Sequence, residues 1–98
     1  MAFLLEPSEE EGTYRFDGAV YVTTNLTSVV SLEEITQIVL KIRQQVSLHD
    51  GIDYLQVFID EDTDRTVWAI DHLNDEMKAS GEFDLSYNHW TLLLPSDY

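Results

Sequence analysis

The sequence contains no cysteine, which excludes disulfide bridges, thiolate zinc sites, iron–sulfur clusters and cysteine nucleophiles. Only five residues are Lys or Arg, too few for the basic surface that binds nucleic acid or an anionic membrane. No apolar run approaches the roughly 20 residues of a membrane helix, and the N-terminus lacks the basic start of a signal peptide. We therefore expect a cytoplasmic protein that contacts neither nucleic acid nor membrane directly.

Motifs for catalysis or cofactor binding are also missing. The four scattered glycines form no phosphate-binding loop, and the three histidines (His49, His72 and His89) stand in no metal-binding spacing. A His/Asp metal site would need distant segments to converge, so isolated surface histidines are the favoured interpretation. His49 beside Asp50 resembles part of a general acid–base pair, but no nucleophile accompanies it. The sequence predicts no enzymatic activity, no cofactor and no metal site.

Acidic residues are the most abundant feature of the chain. Nineteen Asp and Glu give a formal net charge of −14, and residues 50–98 hold twelve of them against only Arg65 and Lys78 as bases. Self-repulsion on this scale weakens a compact fold, so a specific use for the charge is expected. A basic protein surface would attract this chain and speed the encounter.

The size and composition predict one folded domain over residues 1–98. The apolar fraction of 44% and the eleven aromatic residues are typical of a packed core, whereas disordered acidic chains have few aromatics. Residues 1–12 are predicted to be a loose lead-in, acidic over 6–12, with a short docked strand over 1–5 as the alternative.

Residues 31–47 are predicted to form one long helix. Ser31 followed by Glu34 is the pattern of a capping box, in which each side chain bonds the backbone N–H of the other residue. Apolar residues then recur on one side at helical period: Leu32, Ile35, Ile38, Val39, Ile42 and Val46. The pair Asp50-Gly51 is expected to end the helix.

Strands are predicted over residues 14–24, 54–59, 66–70 and 90–94. The polar residues 60–65 join two of them as a β-hairpin with an acidic tip. Residues 71–80 are either a short helix, capped by Asp71 or Asn74 and followed by Gly81, or a loop. The resulting fold class is α+β: a mostly antiparallel, three- to four-stranded sheet packed on one long helix, in the order β-α-β-β-(α)-β.

The acidic hairpin tip has several interpretations. Asp60, Asp62 and Asp64 match alternate positions of a calcium-binding loop, but Arg65 stands where that loop needs glycine and the flanks are strands. A solvated tip is therefore preferred to a calcium site. In an extended chain the three carboxylates would point to one side about 6.6 Å apart and imitate a row of backbone phosphates.

The aromatic residues near the C-terminus also have two interpretations. Tyr87, Trp90 and Tyr98, together with Trp68 on the hairpin, would form a protein-binding patch if they were exposed beside acidic side chains, because Trp and Tyr dominate binding hot spots. The packed core is the favoured position for both tryptophans.

Segment order from about residue 18 to residue 98 resembles an uncharacterised bacterial and phage family, domain of unknown function 3768. The residues that carry the resemblance are 20–23, the 31–46 helix, 49–51, 68–74 and 90–98. The sequence departs from the family where Ala69 replaces a Lys and where no Phe follows Asp50. The resemblance implies no known activity; it suggests a mobile-element context, in which small acidic proteins often resemble inhibitors of host defence.

Two functions are therefore expected. The leading hypothesis is a non-enzymatic acidic module that binds a basic protein surface, and more narrowly a nucleic-acid mimic that inhibits a nuclease or defence effector of the anti-CRISPR or anti-restriction type. The partner-binding residues expected for it are Asp60, Glu61, Asp62, Asp64, Asp71, Asp75, Glu76, Trp68, Trp90 and Tyr98. The alternative is a small structural or regulatory homo-oligomer, such as a homodimer, whose charge confers only solubility.

Overall fold

The computed structural model describes residues 3–7 and 12–98. Within these residues the chain forms five strands, three α-helices and two short 3₁₀ turns, which confirms the predicted α+β class. The elements in chain order are β1 (Phe3–Leu5), β2 (Ala19–Val22), α1 (Thr24–Thr27), α2 (Leu32–His49), β3 (Leu55–Asp60), β4 (Thr66–Asp71), α3 (Asp75–Ser80), a 3₁₀ turn (Leu85–Tyr87), β5 (His89–Leu93) and a second 3₁₀ turn (Pro95–Asp97).

The five strands form one mixed sheet in the order β1-β3-β4-β5-β2. Neighbours from β1 to β5 are antiparallel, whereas β2 pairs in parallel with β5. The sheet has more strands than the predicted three to four, because residues 3–5 pair with β3. Of the two alternatives for the start of the chain, the short docked strand is therefore confirmed over these residues. The acidic part of that lead-in at residues 8–11 lies outside the described residues.

Helix α2 forms where the capping box predicted it. Ser31 Oγ accepts a hydrogen bond from the Glu34 N–H at 3.1 Å, and Glu34 Oε1 accepts one from the Ser31 N–H at 3.2 Å. The helix runs two residues beyond the predicted end at 47. Asp50 then takes a left-handed conformation with φ 52°, and Gly51 follows with φ 113°, which ends the helix as predicted.

The core lies between α2 and one face of the sheet, which we call the inner face. From the sheet it contains Phe3, Phe58, Val67, Ala69, Trp90 and Leu92, and from α2 it contains Ile35, Ile38 and Ile42. Trp90 also packs edge-on against Phe16, with ring centroids 5.3 Å apart. Burial of each large apolar side chain contributes roughly 1.5–3 kcal/mol, so this layer supplies most of the stabilising free energy.

The strand predicted over residues 14–24 is shorter than expected. Tyr14 makes an isolated bridge with Ile52, and Phe16 has a left-handed φ of 48°, so regular pairing begins only at Ala19. A Cβ atom on Gly18 would lie 2.0 Å from the Asn88 carbonyl oxygen, so only glycine fits this turn into β2.

Of the two alternatives for residues 71–80, a short helix forms over the second part of the segment only. Asp71 ends β4 and does not cap a helix. Asn74 is the cap, because its Oδ1 accepts a hydrogen bond from the Met77 N–H at 2.8 Å. Helix α3 follows, and Gly81 ends it with φ 73°.

Candidate protein-binding surface

The β3–β4 hairpin tip places three exposed carboxylates at one end of the sheet. Asp60 Oδ1 accepts a hydrogen bond from the Asp62 N–H at 2.9 Å, and the Asp60 carbonyl accepts one from the Asp64 N–H at 2.8 Å. These bonds fold residues 60–64 into a tight turn. The carboxylates of Glu61, Asp62 and Asp64 are exposed, and no donor or cation in the described part of the chain contacts them.

The predicted row of three carboxylates is wrong. Residues 61–63 form a turn, Asp64 adopts a left-handed φ of 56°, and Asp60 is only 9% exposed. The chain is therefore not extended here, and the 6.6 Å spacing does not apply. The tip also joins two antiparallel strands, and among residues 3–7 and 12–98 no group of three or more His, Cys, Asp or Glu side chains could hold a metal ion.

Asp71 and Trp90, two of the predicted contact residues, are structural. Asp71 is 2% exposed and Trp90 is fully buried, since both point from the inner face toward α2. Asp71 Oδ2 accepts a hydrogen bond from the backbone N–H of Phe16 at 2.9 Å. Burial raises the pKa of Asp71, and the bond from Phe16 opposes the rise. Neither side chain reaches a partner, so both predictions are corrected.

Asp75 lies at the other end of the sheet and already has a cation. Arg15 Nε donates to both of its carboxylate oxygens at 2.9 and 3.0 Å, and Arg15 Nη1 reaches Asp50 at 2.9 Å. A second ion pair joins Lys78 to Asp17 at 2.7 Å. Burial alone would raise the pKa of Asp17, but the hydrogen bond and charge of Lys78 lower it.

The predicted carboxylates therefore occupy opposite ends of β4. Glu61, Asp62 and Asp64 precede the strand, whereas Asp75 and Glu76 follow it. Six residues of strand separate the two groups by about 17 Å or more. Both described ion-paired bases, Arg15 and Lys78, lie with the second group. The tip is thus the end at which no carboxylate of the described residues is ion-paired.

In the five described strands, no side chain on the side of the sheet that faces away from α2 is charged. We call this side the outer face. Its side chains are those of Leu4, Ala19, Tyr21, Leu55, Val57, Ile59, Thr66, Trp68, Ile70, His89, Thr91 and Leu93. Eight are half-buried, Leu93 is 6% exposed, and none belongs to the core cluster. The predicted core position of Trp68 is therefore wrong.

Trp68 lies at the middle of the outer face. The sheet register places it between Val57 on β3 and Leu93 on β5. Its ring meets that of Tyr98 edge-on, with centroids 5.8 Å apart, and Tyr98 is 87% exposed. Of the predicted aromatic contacts, Trp68 and Tyr98 thus come together on one accessible surface, and Trp90 does not join them.

Two histidines meet at one end of the outer face, although isolated histidines were expected. The rings of His72 and His89 lie 4.6 Å apart, and Tyr21 stacks on His89 at 4.5 Å. Desolvation and the proximity of His89 lower the pKa of His72. In the sequence, His89 alternates with Thr91 and Leu93, which could have indicated that its ring points outward. The approach of His72 to His89 has no local signal, because it depends on the pairing of distant strands.

Comparison of the chain with models of protein families, with curated proteins and with solved structures found no match. The resemblance to domain of unknown function 3768 therefore stays a prediction. No helix among the described residues has both the length and the apolar character that crossing a membrane requires.

Proposed function

We propose that this protein is a non-enzymatic module that binds a basic surface of another protein through its acidic hairpin tip. The observation that carries this proposal is the tip itself. Three exposed carboxylates lie within residues 61–64, and no described cation contacts them. Like charges held this close repel one another in the free protein, and a Lys- or Arg-rich partner surface would relieve the repulsion.

The distribution of the basic residues supports the same proposal. Arg15 and Lys78 pair with carboxylates at the far end of the sheet, while Lys41 and Arg43 lie on the exposed side of α2. Arg65 adjoins the tip, but its Nη1 donates to the Val29 carbonyl at 3.0 Å and so points away from the tip carboxylates. The attraction for a cationic partner is therefore expected to be strongest at the tip.

A nuclease or other nucleic-acid-binding protein is one class of partner with such a surface. Binding there would make the protein an inhibitor of the anti-restriction or anti-CRISPR type. Because the extended row of carboxylates does not form, the tip would meet a local cluster of Lys and Arg rather than replace a length of nucleic-acid backbone. Duplex DNA added to the complex would then compete for the same cations.

The test uses a pair of variants with equal net charge. The tip variant carries Glu61→Gln, Asp62→Asn and Asp64→Asn, and the control variant carries Glu6→Gln, Glu33→Gln and Glu82→Gln at exposed positions elsewhere. Each protein is immobilised and exposed at 50 mM salt to a lysate of the organism that encodes it. Bound proteins are identified by mass spectrometry after elution with 500 mM salt, and DNA is added to a parallel sample.

We expect the wild type and the control variant to retain basic proteins and the tip variant to lose them. Elution with 500 mM salt should release the retained proteins, because surface charge pairs are screened over about 8–10 Å. Equal retention by the tip variant, or retention that survives 500 mM salt, would contradict the proposal. Displacement of the bound proteins by DNA would support the role as an inhibitor of a nucleic-acid-binding protein. Failure of DNA to displace them would exclude that role but not the binding of a basic protein.

The uncharged outer face favours a second candidate function, a structural or regulatory homo-oligomer that buries this face between copies. Sedimentation velocity distinguishes the two candidates. A stable dimer that Trp68→Thr converts to a monomer would favour the oligomer, and a monomer at micromolar concentration would favour the binding module.

A further inference from the structure

We propose that the outer face is the docking surface for the basic partner proposed above, and that this partner presents an apolar patch bordered by Lys and Arg. The inference rests on the proposed function and adds where the partner sits and what its centre contains. The hairpin tip then forms one border of the interface, and the row through Trp68 forms its middle.

The first observation is the absence of charge from the outer face. The chain is 24% charged, so about three of twelve strand positions would carry charge if it were spread evenly. None of the twelve outward positions in the described strands does. Strands contain few Asp and Glu in general, but the two in these strands, Asp60 and Asp71, both point inward. The centre of a protein interface is likewise depleted of charge.

The second observation is the orientation of β3. Its inward side chains are Gln56, Phe58 and Asp60, and its outward side chains are Leu55, Val57 and Ile59. The strand therefore turns its more apolar side away from the core, at the cost of burying one amide and one carboxylate. Half-buried apolar side chains continue across the neighbouring strands through Trp68 and Ile70. A contiguous apolar surface of this kind marks an interaction site.

The size of the face argues against a second copy as its occupant. Five strands about 4.8 Å apart, each contributing about five residues, give an area on the order of 400 Å². A standard stable interface buries about 800 Å² on each partner. Two copies would therefore have to extend their contact beyond the face to its acidic border. A second copy has the same net charge of −14, so the two borders would repel each other.

The border of the face is complementary to a basic partner instead. Glu61, Asp62 and Asp64 extend from the end of β3 and the start of β4, which are central in the sheet. Asp53 precedes β3 at the opposite end of that strand. The strands that supply the apolar residues thus end in carboxylates. Lys and Arg around an apolar patch would pair with these ends and enlarge the buried area.

The test uses three synthetic helical peptides of about 18 residues, long enough for a stable helical face. The first has a Leu face bordered by Lys and Arg, the second has the same Leu face bordered by Glu, and the third keeps the basic border but has Ser in place of Leu. Binding is followed by NMR of ¹⁵N-labelled protein, with the imidazole signals of His72 and His89 as additional reporters on the outer face.

We expect the first peptide to shift amide signals of β3, β4 and β5 together with the imidazole signals, and the second peptide to shift none. The third should shift only the tip. Trp68→Thr and Val57→Thr should each weaken the first peptide about tenfold or more, since central aromatic and apolar contacts dominate interfaces. Leu40→Ser, an exposed apolar residue on α2, should leave binding unchanged.

Shifts confined to α2, equal binding of the acidic peptide, or unchanged affinity of both threonine variants would each overturn the docking surface. So would a dimer that Trp68→Thr dissociates. Circular dichroism checks that each variant folds. If one of the two threonine variants does not fold, the other still tests the docking surface. Lysate proteins lost from the tip variant but kept by Trp68→Thr would leave the proposed function standing and remove this inference alone.

Discussion

The carboxylate of Asp71 accepts a hydrogen bond from the backbone N–H of Phe16, a residue 55 positions earlier in the chain, at 2.9 Å. Phe16 takes a left-handed φ of 48°, and its ring packs edge-on against Trp90. Asp71 and Trp90 are opposed on β4 and β5. One buried carboxylate therefore holds the loop before β2 against the end of the central strand β4.

The first prediction concerns this bond. Asp71→Ala leaves the Phe16 N–H buried without an acceptor, which costs about 1–3 kcal/mol of the free energy of unfolding. Asp71→Asn keeps one oxygen acceptor and should cost less. Urea denaturation followed by tryptophan fluorescence measures both variants. Equal stability of Asp71→Ala and wild type would show that the bond does not hold the loop.

A second carboxylate, Asp97, acts in the same way at the surface. Its oxygens accept hydrogen bonds from Thr23 Oγ1 at 2.7 Å, from Asn25 Nδ2 at 2.8 Å and from the Leu94 N–H at 3.1 Å. The bonds from Asn25, Thr23 and the Leu94 backbone lower the pKa of Asp97, whereas burial raises the pKa of Asp71. The two groups therefore depend on pH with opposite sign.

The second prediction follows from that difference. Asp97 stabilises the fold above its unfolded pKa near 3.8, and this contribution is lost as the pH falls through its lower folded pKa. The folded pKa of Asp71 lies above 3.8, so its unfavourable contribution develops as the pH rises through the folded value. From pH 7 down to pH 3, wild type should lose stability relative to Asp97→Asn and gain stability relative to Asp71→Asn.

Melting temperatures of the three proteins across this pH range provide the measurement. All other residues are the same in the three proteins, so their contributions cancel in the differences. Two difference curves with slopes of the same sign would contradict the assignment.

The contrast between Asp71 and Ser31 shows what the sequence could predict. Ser31 and Glu34 lie three residues apart, so the capping box and the start of α2 follow from local pattern alone. Asp71 and Phe16 meet only after the sheet has formed, and no local signal announces a buried carboxylate. For the same reason the β2–β5 parallel pair was not predicted, and the strand at residues 3–5 was only one of two alternatives.

The sequence predicted which residues form the candidate surface better than it predicted where their side chains lie. The acidic hairpin tip followed from residues 60–65, but its carboxylates were placed in an extended row because the turn bonds of Asp60 could not be foreseen. In the sequence of β3, Leu55, Val57 and Ile59 alternate with Gln56, Phe58 and Asp60, which gives the strand two faces but does not say which one meets α2. Hydrophobicity alone would have placed Leu55, Val57 and Ile59 inside, and the structure places them outside.

The third prediction tests the capping box. Ser31→Ala removes the acceptor for the Glu34 N–H and should lower the free energy of unfolding by about 1 kcal/mol. Ser47→Ala, at an exposed position inside the same helix, is the matched control and should be neutral or slightly stabilising. Urea denaturation measures both. A loss in Ser47→Ala as large as in Ser31→Ala would mean that the cap contributes nothing of its own.

The last prediction concerns the unpaired charge of the hairpin tip. Repulsion among Glu61, Asp62 and Asp64, and between them and the remaining negative charge, destabilises the folded protein most at low ionic strength. The melting temperature of wild type should therefore rise between 10 and 300 mM sodium chloride. The tip variant should melt higher than wild type at 10 mM salt, and the difference should shrink as salt is added.

The control variant with Glu6→Gln, Glu33→Gln and Glu82→Gln separates local from overall repulsion, because it has the same net charge as the tip variant. A smaller gain in the control than in the tip variant is expected, since its three carboxylates lie on different elements. A tip variant that melts below wild type would mean that the tip carboxylates have stabilising partners within the folded protein. They would then not be free for a basic surface.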